Sequence, residues 1–77
     1  MHIAFVTKST AGSAFSLYDS NLCVMESESF SDLFTLNFHL QALVKKYNIK
    51  KGLLVVHDKD ENKVGISIAE DENYFIS

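Results

Sequence analysis

Only one stretch of this chain carries the spacing of an amphipathic helix, residues 31–47. Every other apolar segment reads as a strand. Leu33, Leu36, Leu40, Leu43, Val44 and Tyr47 fall on a single stripe at helical spacing. Ser29 or Ser31 can cap the start, and Ser29-Phe30-Ser31-Asp32 is a loose capping box. Asp32 sits near the positive end of the helix dipole, Lys45 and Lys46 near the negative end. Asn48 is placed to stop the helix. One helix among many strands is a strong constraint, because a helix can shelter only part of one sheet face.

The strands follow from alternation. Residues 2–7 place Ile3, Phe5 and Thr7 on one side and Ala4 and Val6 on the other, so both faces are largely apolar. Residues 13–19 alternate more cleanly, with Phe15 and Leu17 opposite Ala14, Ser16 and Tyr18. Asp19-Ser20-Asn21 is a turn signal, and residues 22–26 read as a third strand with Leu22 and Val24 opposite Cys23 and Met25. After the helix, residues 53–57 run apolar without alternation, as a strand buried on both faces does. Residues 58–62 form an acidic turn. Residues 63–69 alternate again, with Val64, Ile66 and Ile68 on one side, and Tyr74-Phe75-Ile76 suggests a short last strand.

These elements predict a single small α+β domain over residues 1–77, with the order βββαββ. A right-handed crossover through the helix places the first and fourth strands side by side, giving a mixed five-stranded sheet of order 3-2-1-4-5. The two strands that are apolar on both faces then lie at its centre. The helix covers one face, so the other needs a lid. Tyr74-Phe75-Ile76 could supply part of it, and a second copy or another protein the rest.

Composition narrows the function. A chain of 77 residues with 47% hydrophobic side chains and a net charge of −3 holds one core and is not disordered. A lone Cys23 excludes a disulfide scaffold. Seven lysines, no arginine and a pI near 5.4 argue against nucleic acid as a partner, because arginine is the better fork for phosphates and base edges. The longest clean apolar run, Leu53 to Val56, is far too short to span a membrane. Met1 to Thr7 lacks the pattern of a signal peptide, so a cytoplasmic setting is expected.

No complete catalytic or metal motif emerges, and no cofactor or metal is expected. Asp58, Asp60 and Asn62 match the first liganding positions of a calcium loop, but Lys63 stands where glycine is required and Ala69 where a bidentate glutamate is required. A solvated hairpin turn explains the run. Lys8-Ser9-Thr10-Ala11-Gly12-Ser13 has the residue types of a phosphate loop in the wrong order. Cys23 reads as a half-buried strand thiol, not a nucleophile. His2, His39 and His57 lack metal-ligand spacing, and His39 projects to the polar side of the helix with Thr35 and Lys46.

The element order up to residue 58 resembles the first half of a ribonuclease-H-like domain: three antiparallel strands, a helix, then a parallel strand ending in an aspartate. The resemblance implies metal-dependent hydrolysis, with Asp32 and Asp58 where two of that family's metal-binding carboxylates lie. Thr7 and Lys8 replace the first-strand carboxylate, and the later helices are absent. Those departures put two-metal chemistry in doubt, since it needs converging oxygen ligands. A degenerate hydrolase of this kind is the third reading.

Phe34 and Phe38 carry the first. Counting about 100° per residue, they point roughly 100° and 140° from Leu33, off the core stripe and beside Gln41 and Lys45. Such a pair is either covered by the loop at 26–31 or by the C-terminal segment, or it is a ridge that binds protein. The sequence therefore predicts a non-catalytic protein-interaction module. Its size and composition suit a phage or mobile-element inhibitor or an antitoxin-like partner. The second reading is a homodimer that closes the bare sheet face. The third strand, with Cys23 and Met25, is the expected docking edge.

Overall fold

Ala4 and Val6 alternate with Ile3, Phe5 and Thr7, and the chain resolves that alternation by burying the first pair in the core on the helix side of the sheet. The computed structural model describes residues 1–70. It contains β1 (His2–Ser9), β2 (Gly12–Tyr18), β3 (Val24–Phe30), α1 (Leu33–Lys46), β4 (Lys51–Asp58) and β5 (Lys63–Glu70). The sheet order is β3-β2-β1-β4-β5. β1 and β4 are parallel, and the other neighbours are antiparallel. This is the mixed five-stranded α+β arrangement that the sequence predicts. The suggested strand at 74–76 lies outside the described residues.

The core forms between α1 and one sheet face. Leu36, Leu40, Leu43 and Val44 of α1 meet Val6, Phe15 and Leu17, with Leu54, Ala69 and the loop residue Ile49 completing the layer. Asn37 is also buried, on the flank of the same stripe. Leu33 and Tyr47 are half-buried at the ends, and the Tyr47 hydroxyl donates to Glu26 Oε2 at 2.8 Å. The helix lies over β2 and β3. On the same side of the sheet, Gly65 and Ser67 of β5 stay exposed, and only Ala69 is buried there.

Several boundaries differ from the sequence reading. The third strand runs over 24–30, not 22–26. Asp19 is the reason: its Oδ1 accepts the N–H groups of Asn21 and Cys23, and its backbone N–H donates to the Cys23 carbonyl. That closes a turn through Cys23, with Leu22 in the left-handed region at φ 64°. The polar run Glu26-Ser27-Glu28-Ser29 is strand all the same, because β2 supplies its ladder partners. The helix starts at Leu33 and is capped by Asp32, not by Ser29 or Ser31. β1 and β4 both extend further than their apolar stretches, to Ser9 and Asp58.

His39 is half-buried and does not project into solvent as its polar neighbours on the helix suggest. Because α1 is shifted toward β3, its flank packs against that strand. The His39 ring lies 5.2 Å from the Phe30 ring and 6.3 Å from that of Phe15, and its Nε2 is 3.2 Å from Glu28 Oε2. Gly12 is required at the β1–β2 turn: its φ is +134°, and a Cβ there would sit 3.0 Å from the Phe30 carbonyl oxygen.

Replacing Leu40, which is 1% exposed, tests this layer. Leu40→Ala should lower the unfolding free energy by about 2–5 kcal/mol in a urea titration. A loss well under about 1 kcal/mol would mean that the helix does not seal this face. Gly12→Ala should also destabilise, through backbone strain instead of a cavity.

Candidate protein-binding surface

α1 is the element that positions the ridge. Its inward stripe is held by the core, which fixes the rotation of the helix about its axis. That rotation turns Phe34 and Phe38 outward, and they are 81% and 73% exposed. The two residues lie one turn apart and are therefore surface neighbours. Gln41 is half-buried beside them and Lys45 is exposed. The loop at 26–31 does not cover the ridge, since residues 26–30 are strand on the far side of the helix, where Glu28 meets His39.

The other two predicted contact residues separate. Met25 turns inward and packs against the core, whereas Cys23 is exposed in the turn before β3. β3 is an edge strand as expected, but Glu26 and Glu28 lie along it. The opposite edge, β5, has no charged residue between Lys63 and Glu70, and its Val64, Ile66 and Ile68 are all exposed. By the usual devices that blunt sheet edges, β5 is the less guarded one.

Asp32 and Asp58 do come together, as sequence reasoning placed them. Both line an open hollow at the C-terminal ends of the parallel pair β1 and β4, together with Asp60, Lys8 and Ser9. Each carboxylate is already engaged by the fold. Asp32 Oδ1 accepts the Thr35 backbone N–H at 2.7 Å and the Thr35 hydroxyl at 3.0 Å. Asp58 Oδ1 accepts the N–H groups of Asp60 and Glu61, both at 3.1 Å, while Lys8 Nζ stands 3.8 Å from Asp58 Oδ2. Asp60 Oδ2 accepts the Thr10 N–H at 2.8 Å, and the Lys59 N–H donates to the Lys8 carbonyl. The acidic turn thus ties the β4–β5 connection to the β1–β2 turn. Sequence reasoning saw the acidic run but not the bond from Asp60 to Thr10, which joins residues 50 apart. Among the described residues, no group of three or more His, Cys, Asp or Glu is arranged to hold a metal ion. None of their helices is long and apolar enough to cross a membrane.

The described residues form five strands in one mixed sheet and one helix, and class membership stops at that α+β architecture. Comparison with family models, curated proteins and solved structures returned no match.

The Thr35 backbone N–H, followed by the Thr35 hydroxyl, holds the Asp32 carboxyl below its ordinary value of 3.8. A lowered folded-state value stabilises the native chain above the ordinary value, and that contribution is lost as pH falls through the lowered one. Asp32→Ala should therefore be less stable than the natural chain near neutral pH. The gap should shrink as pH drops below 3.8, as read by urea unfolding at a series of pH values. A gap that stays constant with pH would show that the charge on Asp32 contributes nothing.

Proposed function

We propose that this chain is a non-catalytic protein-interaction module, with Phe34 and Phe38 as its anchors and Gln41 and Lys45 at their rim. The single observation that carries the reading is the exposure of two phenylalanines, 81% and 73%, one turn apart on a helix whose core stripe is already satisfied. An aromatic side chain of this size presents roughly 150–250 Å² to a partner. Burying one in a pocket is worth about 1.5–3 kcal/mol. Large aromatic anchors beside polar groups have the composition of interface centres.

The chemistry of the surroundings points to a protein and not to nucleic acid. The flanking charge is one lysine, Lys45, and the whole chain has no arginine and a net charge of −3. An acidic chain of 77 residues with one exposed aromatic ridge suits an inhibitor or antitoxin-like protein that occludes a larger partner, of the kind phages and mobile elements carry. Cys23, exposed at the end of the β3 edge, adds a second contact, while Met25 supports that edge from the core side.

A tagged chain and its Phe34→Ala/Phe38→Ala variant test the proposal in parallel affinity purifications from the native cell. Unfolding free energy should change by no more than about 0.5 kcal/mol, because exposed positions contribute little to the fold. The partner band should fall by at least about tenfold, the equivalent of about 1.4 kcal/mol. Unchanged capture by a folded variant would overturn the ridge as the docking site. Collapse of stability would show that these phenylalanines serve the core.

A further inference from the structure

The sheet face away from α1 is a second surface, independent of the ridge, and we propose that it is completed by the same face of a second copy of this chain. The register places its side chains in rows. Phe5, Val55 and Ile66 lie side by side across β1, β4 and β5. Tyr18, Ile3, Leu53 and Ile68 form the next row, from β2 to β5. Phe5, Val64, Ile66 and Ile68 are exposed, the last two at 68% and 61%. The centre of the patch carries no charge. Lys51 and Glu70 pair with one another at its margin, Nζ to Oε1 3.5 Å.

Two arguments select a second copy as the occupant. The first is area. Five strands spaced about 4.8 Å apart, each seven or eight residues long at about 3.3 Å per residue, make a face of roughly 24 by 24 Å. Two such faces together remove on the order of 1,200 Å² from water before side-chain relief is counted, the lower bound of a stable interface. The second is complementarity. The face is apolar over β1, β4 and β5 and continues over β2 and β3 with the small hydroxyls of Ser16 and Ser27. Such a face pairs with another of its kind at about 10 Å, as in two-layer sandwiches, and an isologous contact needs only one such face. The marginal Lys51–Glu70 pair is neutral as a unit, so it adds no like-charge repulsion between copies.

The arrangement leaves both α1 helices on the outside, each with Phe34 and Phe38 exposed. The dimer would then offer two ridges pointing in opposite directions. The dimer itself does not rest on the function proposed for the ridge.

Sedimentation equilibrium of the natural chain and of an Ile66→Lys/Ile68→Lys variant tests the proposal. Both isoleucines are exposed in the monomer, so the variant should keep its circular dichroism and its fold. The natural chain should dimerise with a Kd on the order of micromolar. The variant should be weaker by at least about 100-fold, since each lysine would be desolvated unpaired. Added salt should not weaken the natural dimer, because no ion pair crosses it. Intermolecular NOEs from the Phe5 ring to Ile66 in a mixed-label sample would support the face directly. A natural chain that stays monomeric at about 500 µM, far above such a Kd, would overturn the proposal. So would a dimer unaffected by the double substitution, which would place the contact at the ridge or the β5 edge. Association that begins only when residues 71–77 are removed would also overturn it, assigning the face to this chain's own terminus.

Discussion

Everything in this molecule follows from a mismatch of width. An α-helix with its side chains is about 10–12 Å across, and a five-stranded sheet is roughly 24 Å across. One helix of 14 residues therefore covers about half of one face. It settles over β2 and β3, where Phe15 and Leu17 are fully buried and Phe30 packs beside them. Ile49, in the loop after the helix, and Ala69 of β5 close the core beyond the reach of α1. Alongside polar residues such as Ser27, Ser29 and Ser67, large apolar side chains are left uncovered where a sheet that faces water would carry polar ones. They are Phe5, Val64, Ile66 and Ile68 on the far face and Phe34 and Phe38 on the back of the helix.

Against that thin core, short polar side chains carry much of the specification of the turns. Asp19, Asp32 and Asp58 each accept backbone N–H groups two to four residues ahead, which ends one element and starts the next. Asp60 does this across the chain by reaching Thr10. The hollow at the C-terminal ends of β1 and β4 is acidic because it is where these turns meet. Its carboxylates have structural partners, so their clustering by itself does not imply catalysis.

Much of this was legible from periodicity. The helix, the order of strands and the two-sided apolar character of β1 and β4 all came from spacing, and together they led to the sheet order. The outward direction of Phe34 and Phe38 came from the same arithmetic, since a core stripe fixes the rotation of a helix. The misreadings cluster where a partner far along the chain decides. The Glu26–Ser29 run looked like loop because its own residues favour one, and only pairing with β2 makes it a strand. His39 looked like a surface group because its neighbours Phe15, Phe30 and Glu28 belong to other elements. Ser29 or Ser31 looked like the cap, and only the helix start at Leu33 gives that place to Asp32.

By itself, the sequence determined which segments become strands or helix and which side of each is apolar, because those properties repeat with the period of the backbone. Tertiary structure alone decided where the helix sits on the sheet, and therefore which apolar side chains stay uncovered. That choice depends on packing volumes summed over β1, β2 and α1 together, and no local pattern contains that sum.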